Sequence, residues 1–214
     1  MSANEKYCAR FGPGTCYHVY NRTNNRERLF RCAENYHFFL RQYVKYISPF
    51  VSTYGYNLLP NHFHFVCRML DCETIGAYLA SLPAHLLLKC EKQFLRNPKE
   101  NANWLMQAQF HRFFTSYSMA FNKVYDRKGN LFHRQFKRVM ILDETQLRQT
   151  LFYVNVNAAR HGLVDDFTDH PYSSWHSYFV DGPSLICRDE VFKPFGSRLE
   201  LIRFHMDHLD FIKG

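Results

Sequence analysis

Two histidines, His62 and His64, stand one residue apart in the stretch LLPNHFHFVCRM. The residues around them are apolar and β-prone, so the stretch reads as a strand. Strand side chains alternate between faces, which points both imidazoles one way and Asn61, Phe63 and Phe65 the other. Phenylalanine suits a helix-covered core. Two imidazoles on the opposite face either decorate a wet surface or hold one divalent metal ion. Two ligands do not make a site, and a third is offered nearly ninety residues later. In FYVNVNAARHG, Tyr153 and Asn157 are four residues apart and share a helix face turned away from the apolar stripe of Leu147, Leu151 and Val154. Asn157 can give a carbonyl oxygen to a metal, and Tyr153 can present a phenol one turn away. Gln149, a turn earlier, is a reserve oxygen donor. Imidazole with oxygen ligation favours Mg²⁺ or Mn²⁺ in a phosphate-handling site, without excluding a softer metal.

A second group of residues could bind a polyanion. Lys and Arg total 27 against 19 Asp and Glu, a formal charge of +8, and the sequence pI is about 9.1; nucleic acid is the first partner this suggests. The cations cluster. Arg22, Arg26 and Arg28 lie in YHVYNRTNNRER, with Asn24 and Asn25 as candidate readers of base edges. Arg127, Lys128, Arg134, Lys137 and Arg138 lie in DRKGNLFHRQFKR. Aromatic rings interleave with both clusters and could stack on bases, although most such rings in a folded protein are core.

These residues need elements to position them. TCYHVYNR (15–22) reads as a strand, AENYHFFLRQYVKY (33–46) as a helix ended by Pro49, and VSTYGYNLL and HFHFVCRML as two strands joined by a Pro-Asn turn. A helical region from about 74 to 95, interrupted at Pro83, precedes a polar break at RNPKENAN. A longer helix follows over about 104–125, then a cation-rich strand in LFHRQFKRVMIL. The strongest helix is DETQLRQTLFYVNVNAARHG, opening on Asp143 as N-cap and closing at Gly162. Strand, helix, strand, strand, helix, strand is an α+β, ferredoxin-like βαββαβ order on an antiparallel sheet, with the Tyr153 helix added after it. The expectation is one domain over residues 1–214, in which 163–214 is a C-terminal extension packed on the rest.

No apolar run approaches the roughly 18–20 residues of a membrane span, and the N-terminus lacks the apolar region of a secretory signal. Seven scattered cysteines without a CxxC pair fit reduced thiols better than disulfides or zinc. A cytoplasmic protein without a membrane partner is expected.

Four blocks, YHVYNRTNNRERLF, LPNHFHFVCRM, KGNLFHRQFKR and YVNVNAARHGLVDDFTDHPYSSWHSY, resemble in order those of the single-tyrosine HUH transposases. The subgroup they resemble is the REP-associated tyrosine transposases, relatives of the insertion-sequence-200 type. The resemblance covers about residues 14–180. It implies a ferredoxin-like core, a divalent metal (Mg²⁺ or Mn²⁺) on His62 and His64, and a helix-borne tyrosine nucleophile. The family pattern, roughly Tyr-Ile-His-Leu-Asn-Pro-Val, places that nucleophile at Tyr153 and its asparagine at Asn157. Two departures stand out: Asn155 where His is common, and Ala158 where Pro is common, so that the helix can continue.

The implied activity is metal-dependent nicking and strand transfer on single-stranded DNA bearing a hairpin, a REP-like or insertion-element end, through a 5′-phosphotyrosine. A homodimer is left open, since some members exchange the tyrosine helix between subunits. The rival reading from another class is a non-catalytic ferredoxin-like module that binds nucleic acid by stacking. A replication initiator or relaxase would share the chemistry but usually carries further domains. The inserted segment around 78–103 is expected to be a broken helix that could cover DNA or a partner.

Overall fold

Four segments rich in aromatic and β-branched residues pair into one sheet: β1 (Cys16–Arg22), β2 (Val51–Leu59), β3 (His62–Met69) and β4 (Lys137–Ile141). In the computed structural model, which describes residues 7–209, the strand order is β2-β3-β1-β4 and every pairing is antiparallel. β1 and β2 run parallel with β3 between them, so their connection must cross over, and helix α1 (Ala33–Tyr46) makes that crossing. This is the expected ferredoxin-like α+β arrangement.

One sheet face is dry. Phe63 and Phe65 of β3 are fully buried against α1 and α4 (Pro98–Val124). The Phe39 ring lies 5.1 Å from Phe63 and 4.7 Å from Phe113, and Tyr43 stacks on Phe65 at 4.0 Å. The segment between β3 and α4 forms two short helices, α2 (Cys72–Ala80) and α3 (Lys89–Arg96), parted around Pro83. The polar run expected to break the chain before residue 104 instead begins α4. Pro98 sits in its first turn, where a missing N–H leaves no hydrogen bond unmade. The cation-rich strand is shorter than expected. Residues 131–136 form a loop, because Leu131 and Phe132 turn inward and the Asn24 side chain donates to the carbonyls of Asn130 and Phe132.

The other face carries the tyrosine helix, α5 (Glu144–Asn155). Asp143 caps it as expected, accepting from the Gln146 N–H at 2.8 Å. The helix does not run unbroken to Gly162. It is interrupted at Val156 (φ −83°, ψ 0°) and resumes as the single turn α6 (Asn157–Arg160). Gly162, at φ +64°, ends it in the left-handed conformation that glycine adopts without strain. The chain then packs against this face through α7 (Arg188–Phe192) and α8 (Arg198–Asp207). Buried His205 of α8 meets the Asn155 side chain at 2.9 Å, and the Ser174 hydroxyl accepts from the Tyr56 N–H. None of the described helices is long and apolar enough to cross a membrane.

Gly55 sets how closely α5 approaches the sheet. A β-carbon there would lie 2.8 Å from the Tyr178 hydroxyl and 3.1 Å from Leu151 of α5. Gly55→Ala should therefore destabilise the protein by about 1–3 kcal/mol through overpacking. Gly76→Ala is the control: a β-carbon there meets nothing within 4 Å, and the change should stabilise α2 by roughly 0.5–1 kcal/mol. Urea unfolding of both variants measures this; equal shifts of the same sign would contradict the close-approach account.

Candidate active site

The register of β3 against its neighbours builds the site. His64 lies opposite Tyr20 of β1 and Asn57 of β2, and His62 lies opposite Arg22. Directly paired residues share a face, so His62, His64, His18, Tyr20 and Arg22 all project to the side that α5 covers only in part. The uncovered part is a cleft of about 760 Å³ whose walls include Arg22, His62, His64, Lys137 and Tyr153. Tyr153 is half-buried, its ring 5.7 Å from His64 and 5.9 Å from His18. The two expected imidazoles and the expected phenol thus face one cleft within a single chain.

Each imidazole has one nitrogen committed and one directed elsewhere. Nδ1 of His62 is 2.7 Å from Oδ1 of Asn61, which precedes β3 in the turn and lines the cleft instead of pointing to the opposite face as strand alternation predicts. That oxygen can only accept, so Nδ1 carries the proton and Nε2 keeps its lone pair. Nδ1 of His64 is 2.8 Å from Nε2 of His18, while its own Nε2 is buried without a hydrogen-bond partner. The third candidate ligand matches this. Asn157 is 1% exposed and lies beside His62 rather than on the cleft wall; its Oδ1 is buried without a well-aligned hydrogen bond. Gln149 is exposed and lines no part of this cleft.

Buried orphan acceptors are uncommon because each forfeits its solvation for nothing. Two of the five buried side-chain atoms without a partner among the described residues are on the residues singled out as ligands, and an N, N, O set could hold Mn²⁺ or Mg²⁺. Among the described residues no group of three or more His, Cys, Asp and Glu is assembled for a metal; the candidate set holds two histidines and an amide. His62 and His64 are also in the right protonation state. Burial pulls His62 down to about 4, helped by His161 and partly opposed by Asn157. Burial, then His18 and His62, hold His64 well below the ordinary histidine value. Neutral imidazole is the ligating form.

The candidate DNA contacts divide. Arg22 and Asn25 line the cleft together with half-buried Lys137, and Arg28, Lys128 and Arg134 are exposed. Arg134 lines a second groove of about 660 Å³, between α4 and the 129–136 loop, that shares His133 and Gln135 with the first. Asn24 pins the loop, as above, and is not a free base reader. Arg127 grips Glu27 through two nitrogens at 2.6 and 2.8 Å and donates to the carbonyls of Gly129 and Asn130. Arg138 is 8% exposed, donating to the Ala9 carbonyl and flanked by Phe11 and Phe136. Arg127 and Arg138 are therefore committed to the protein rather than offered to a ligand. The Arg26 side chain lies outside what is described.

Other residues join the site without having been singled out. His18 and Tyr20 alternate on β1 just as His62 and His64 do on β3, but only the register brings the pairs together. His161 lies 4.9 Å ring to ring from His62, and the Arg160 guanidinium sits 5.1 Å over the Tyr153 ring; both follow the interruption at Val156.

No family model matches the chain. A protein of Haemophilus influenzae assigned as a REP-associated tyrosine transposase is 28% identical over 138 residues, an alignment covering 61% of this chain and 69% of that one. The chain is similar to the REP-associated tyrosine transposases. A solved structure of the REP-associated tyrosine transposase bound to a REP hairpin aligns with a TM-score of 0.47 at 16% identity, over 78% of this chain and 80% of that one. The relative is the type of protein that the four sequence blocks resemble.

The buried histidines make stability depend on pH. The folded values of His18, His62 and His205 are lowered to about 4, so between pH 6.5 and 4 the unfolded chain takes up protons that the folded one refuses. Stability is complete above about pH 6.5 and falls below it; at pH 5 each such group costs on the order of 2 kcal/mol. Urea midpoints should drop steeply from pH 7 to pH 5, and a flat profile would contradict the burial.

Proposed function

We propose that this protein is a metal-dependent single-stranded DNA nicking and strand-transfer enzyme, a transposase, that acts on hairpin-bearing DNA through a 5′-phosphotyrosine at Tyr153. The observation that carries this reading is the convergence of Tyr153, His62 and His64 on one cleft, with buried Asn157 beside His62. A stacking module for nucleic acid needs no such convergence.

His62 Nε2, His64 Nε2 and Asn157 Oδ1 are the atoms that would hold Mg²⁺ or Mn²⁺. The bound cation would supply Lewis-acid polarisation of the scissile phosphate. The chain's own residues do the rest. Tyr153 lines the cleft from α5, and its Oη attacks phosphorus. The Oη–P bond forms as the P–O3′ bond breaks; the phenol proton is lost and the departing 3′-oxygen gains one. One phosphodiester replaces another, so no nucleotide triphosphate is needed and the step can be reversed by another 3′-OH. Arg160, whose guanidinium lies over the Tyr153 ring, would bring positive charge near the reacting phosphate. Arg22 and Lys137 at the cleft, with Arg28, Lys128 and Arg134 outside it, would meet backbone phosphates.

The test is to incubate labelled hairpin-bearing single-stranded DNA with protein and Mn²⁺ and resolve the products on a denaturing gel. The wild type should yield a covalent adduct and a free 3′ end; Tyr153→Phe should yield neither, and His64→Ala or EDTA should abolish both. Cleavage that persists in Tyr153→Phe overturns the nucleophile. An adduct indifferent to EDTA and to His64→Ala overturns the metal.

A further inference from the structure

The His18–His64 contact has a chemical consequence for the reading above. The two rings lie 5.1 Å apart, nearly parallel, with Nε2 of His18 and Nδ1 of His64 at 2.8 Å. A contact that short between two ring nitrogens holds a single proton. If His18 supplied it, His64 would carry its own proton on Nε2, an N–H buried with no acceptor and unable to ligate anything. If His64 supplies it, Nε2 keeps a lone pair that is satisfied when a cation is bound. The first arrangement leaves an unpaired donor, the second an unpaired acceptor, and burying an unpaired donor is the worse of the two.

We infer that His18 is a positioning residue: it accepts the Nδ1 proton of His64, fixing the tautomer and ring orientation that aim the His64 Nε2 lone pair at the metal position. Partners of this kind on the outer nitrogen of a ligating histidine raise ligand basicity, and removing one typically weakens metal affinity about 10–100-fold. Asn61 plays the same part for His62 from the preceding residue in the chain. His18 does so from the neighbouring strand, so the β1–β3 register itself orients the ligand. The inference rests on the proposed metal role of His64, but its core statement, the tautomer, concerns the metal-free protein.

Two measurements test it. Long-range ¹H–¹⁵N spectra of histidine-labelled apo protein should show His64 protonated on Nδ1 with a bare Nε2. His18→Leu, which offers no acceptor, should lose that tautomer, and His18→Gln, whose amide oxygen can accept, should keep it. Mn²⁺ titration followed by electron paramagnetic resonance should show His18→Leu weaker by about 10–100-fold, with His18→Gln close to wild type. Rescue by glutamine separates positioning from mere packing, which leucine serves better. A proton on His64 Nε2 in the wild type, or a His18→Leu variant with unchanged tautomer and affinity, overturns the inference. A wild type that binds no Mn²⁺ overturns the metal reading instead, and the apo spectra then decide the role of His18 alone.

Discussion

Everything in this protein depends on β3 being buried on both faces. Six of its eight residues are buried and only Arg68 is exposed. With a side-chain period of two, the strand must supply phenylalanines to one layer and imidazoles to the other. A one-residue slip against β1 or β2 would drive Phe63 and Phe65 into the cleft and the histidines into the aromatic core. The aromatic layer from α1 and α4 therefore locates the histidines. Truncating a core phenylalanine such as Phe39 removes about 3–5 kcal/mol of packing and loosens the register on which the cleft is built.

The polar groups on the opposite face are treated in two ways. Around the C-terminal segment several are paired: Asn155 with His205, the Tyr178 hydroxyl with the Tyr54 carbonyl, His170 with the Leu58 carbonyl. The Asn57 side chain donates to the Val154 and Asn155 carbonyls and so ties α5 to β2 at the close approach that Gly55 permits. Beyond them, His64 Nε2 and Asn157 Oδ1 are left unpaired, as is Oδ1 of Asn57, which lies opposite His64. An unpaired buried group costs about 1–3 kcal/mol. A fold that satisfies its neighbours while leaving these open is less stable than it could be at the place where a ligand would bind.

Much of this was legible in the sequence, for identifiable reasons. The β2 and β3 boundaries and helix α1 follow from turn residues and clean periodicity, and the alternation of His62, Phe63, His64 and Phe65 specifies faces without further knowledge. Asn157 and Tyr153 follow from helical spacing. What the sequence hides is pairing. Nothing in TCYHVYNR says that His18 will meet His64, because that is set by a register between segments more than forty residues apart. Nor does charge clustering distinguish Arg134, which is exposed, from Arg127 and Arg138, whose guanidinium groups are taken by Glu27 and the Ala9 carbonyl. The interruption at Val156 was hidden as well: Val and Asn are weak helix formers, but the apolar stripe runs on from Val154 to Ala158 and gives no sign that Asn157 begins a separate turn.

The central claim is that Tyr153, and no other of the 14 tyrosines, forms a covalent bond to the 5′ side of a cleaved single strand. The most direct measurement is mass spectrometry of protein trapped on a hairpin-bearing oligonucleotide, digested with protease and nuclease. The account predicts one nucleotide-modified peptide, spanning residues 149–160, with the added mass on Tyr153. A modification on a different tyrosine, or cleaved DNA with no modified peptide, would contradict it.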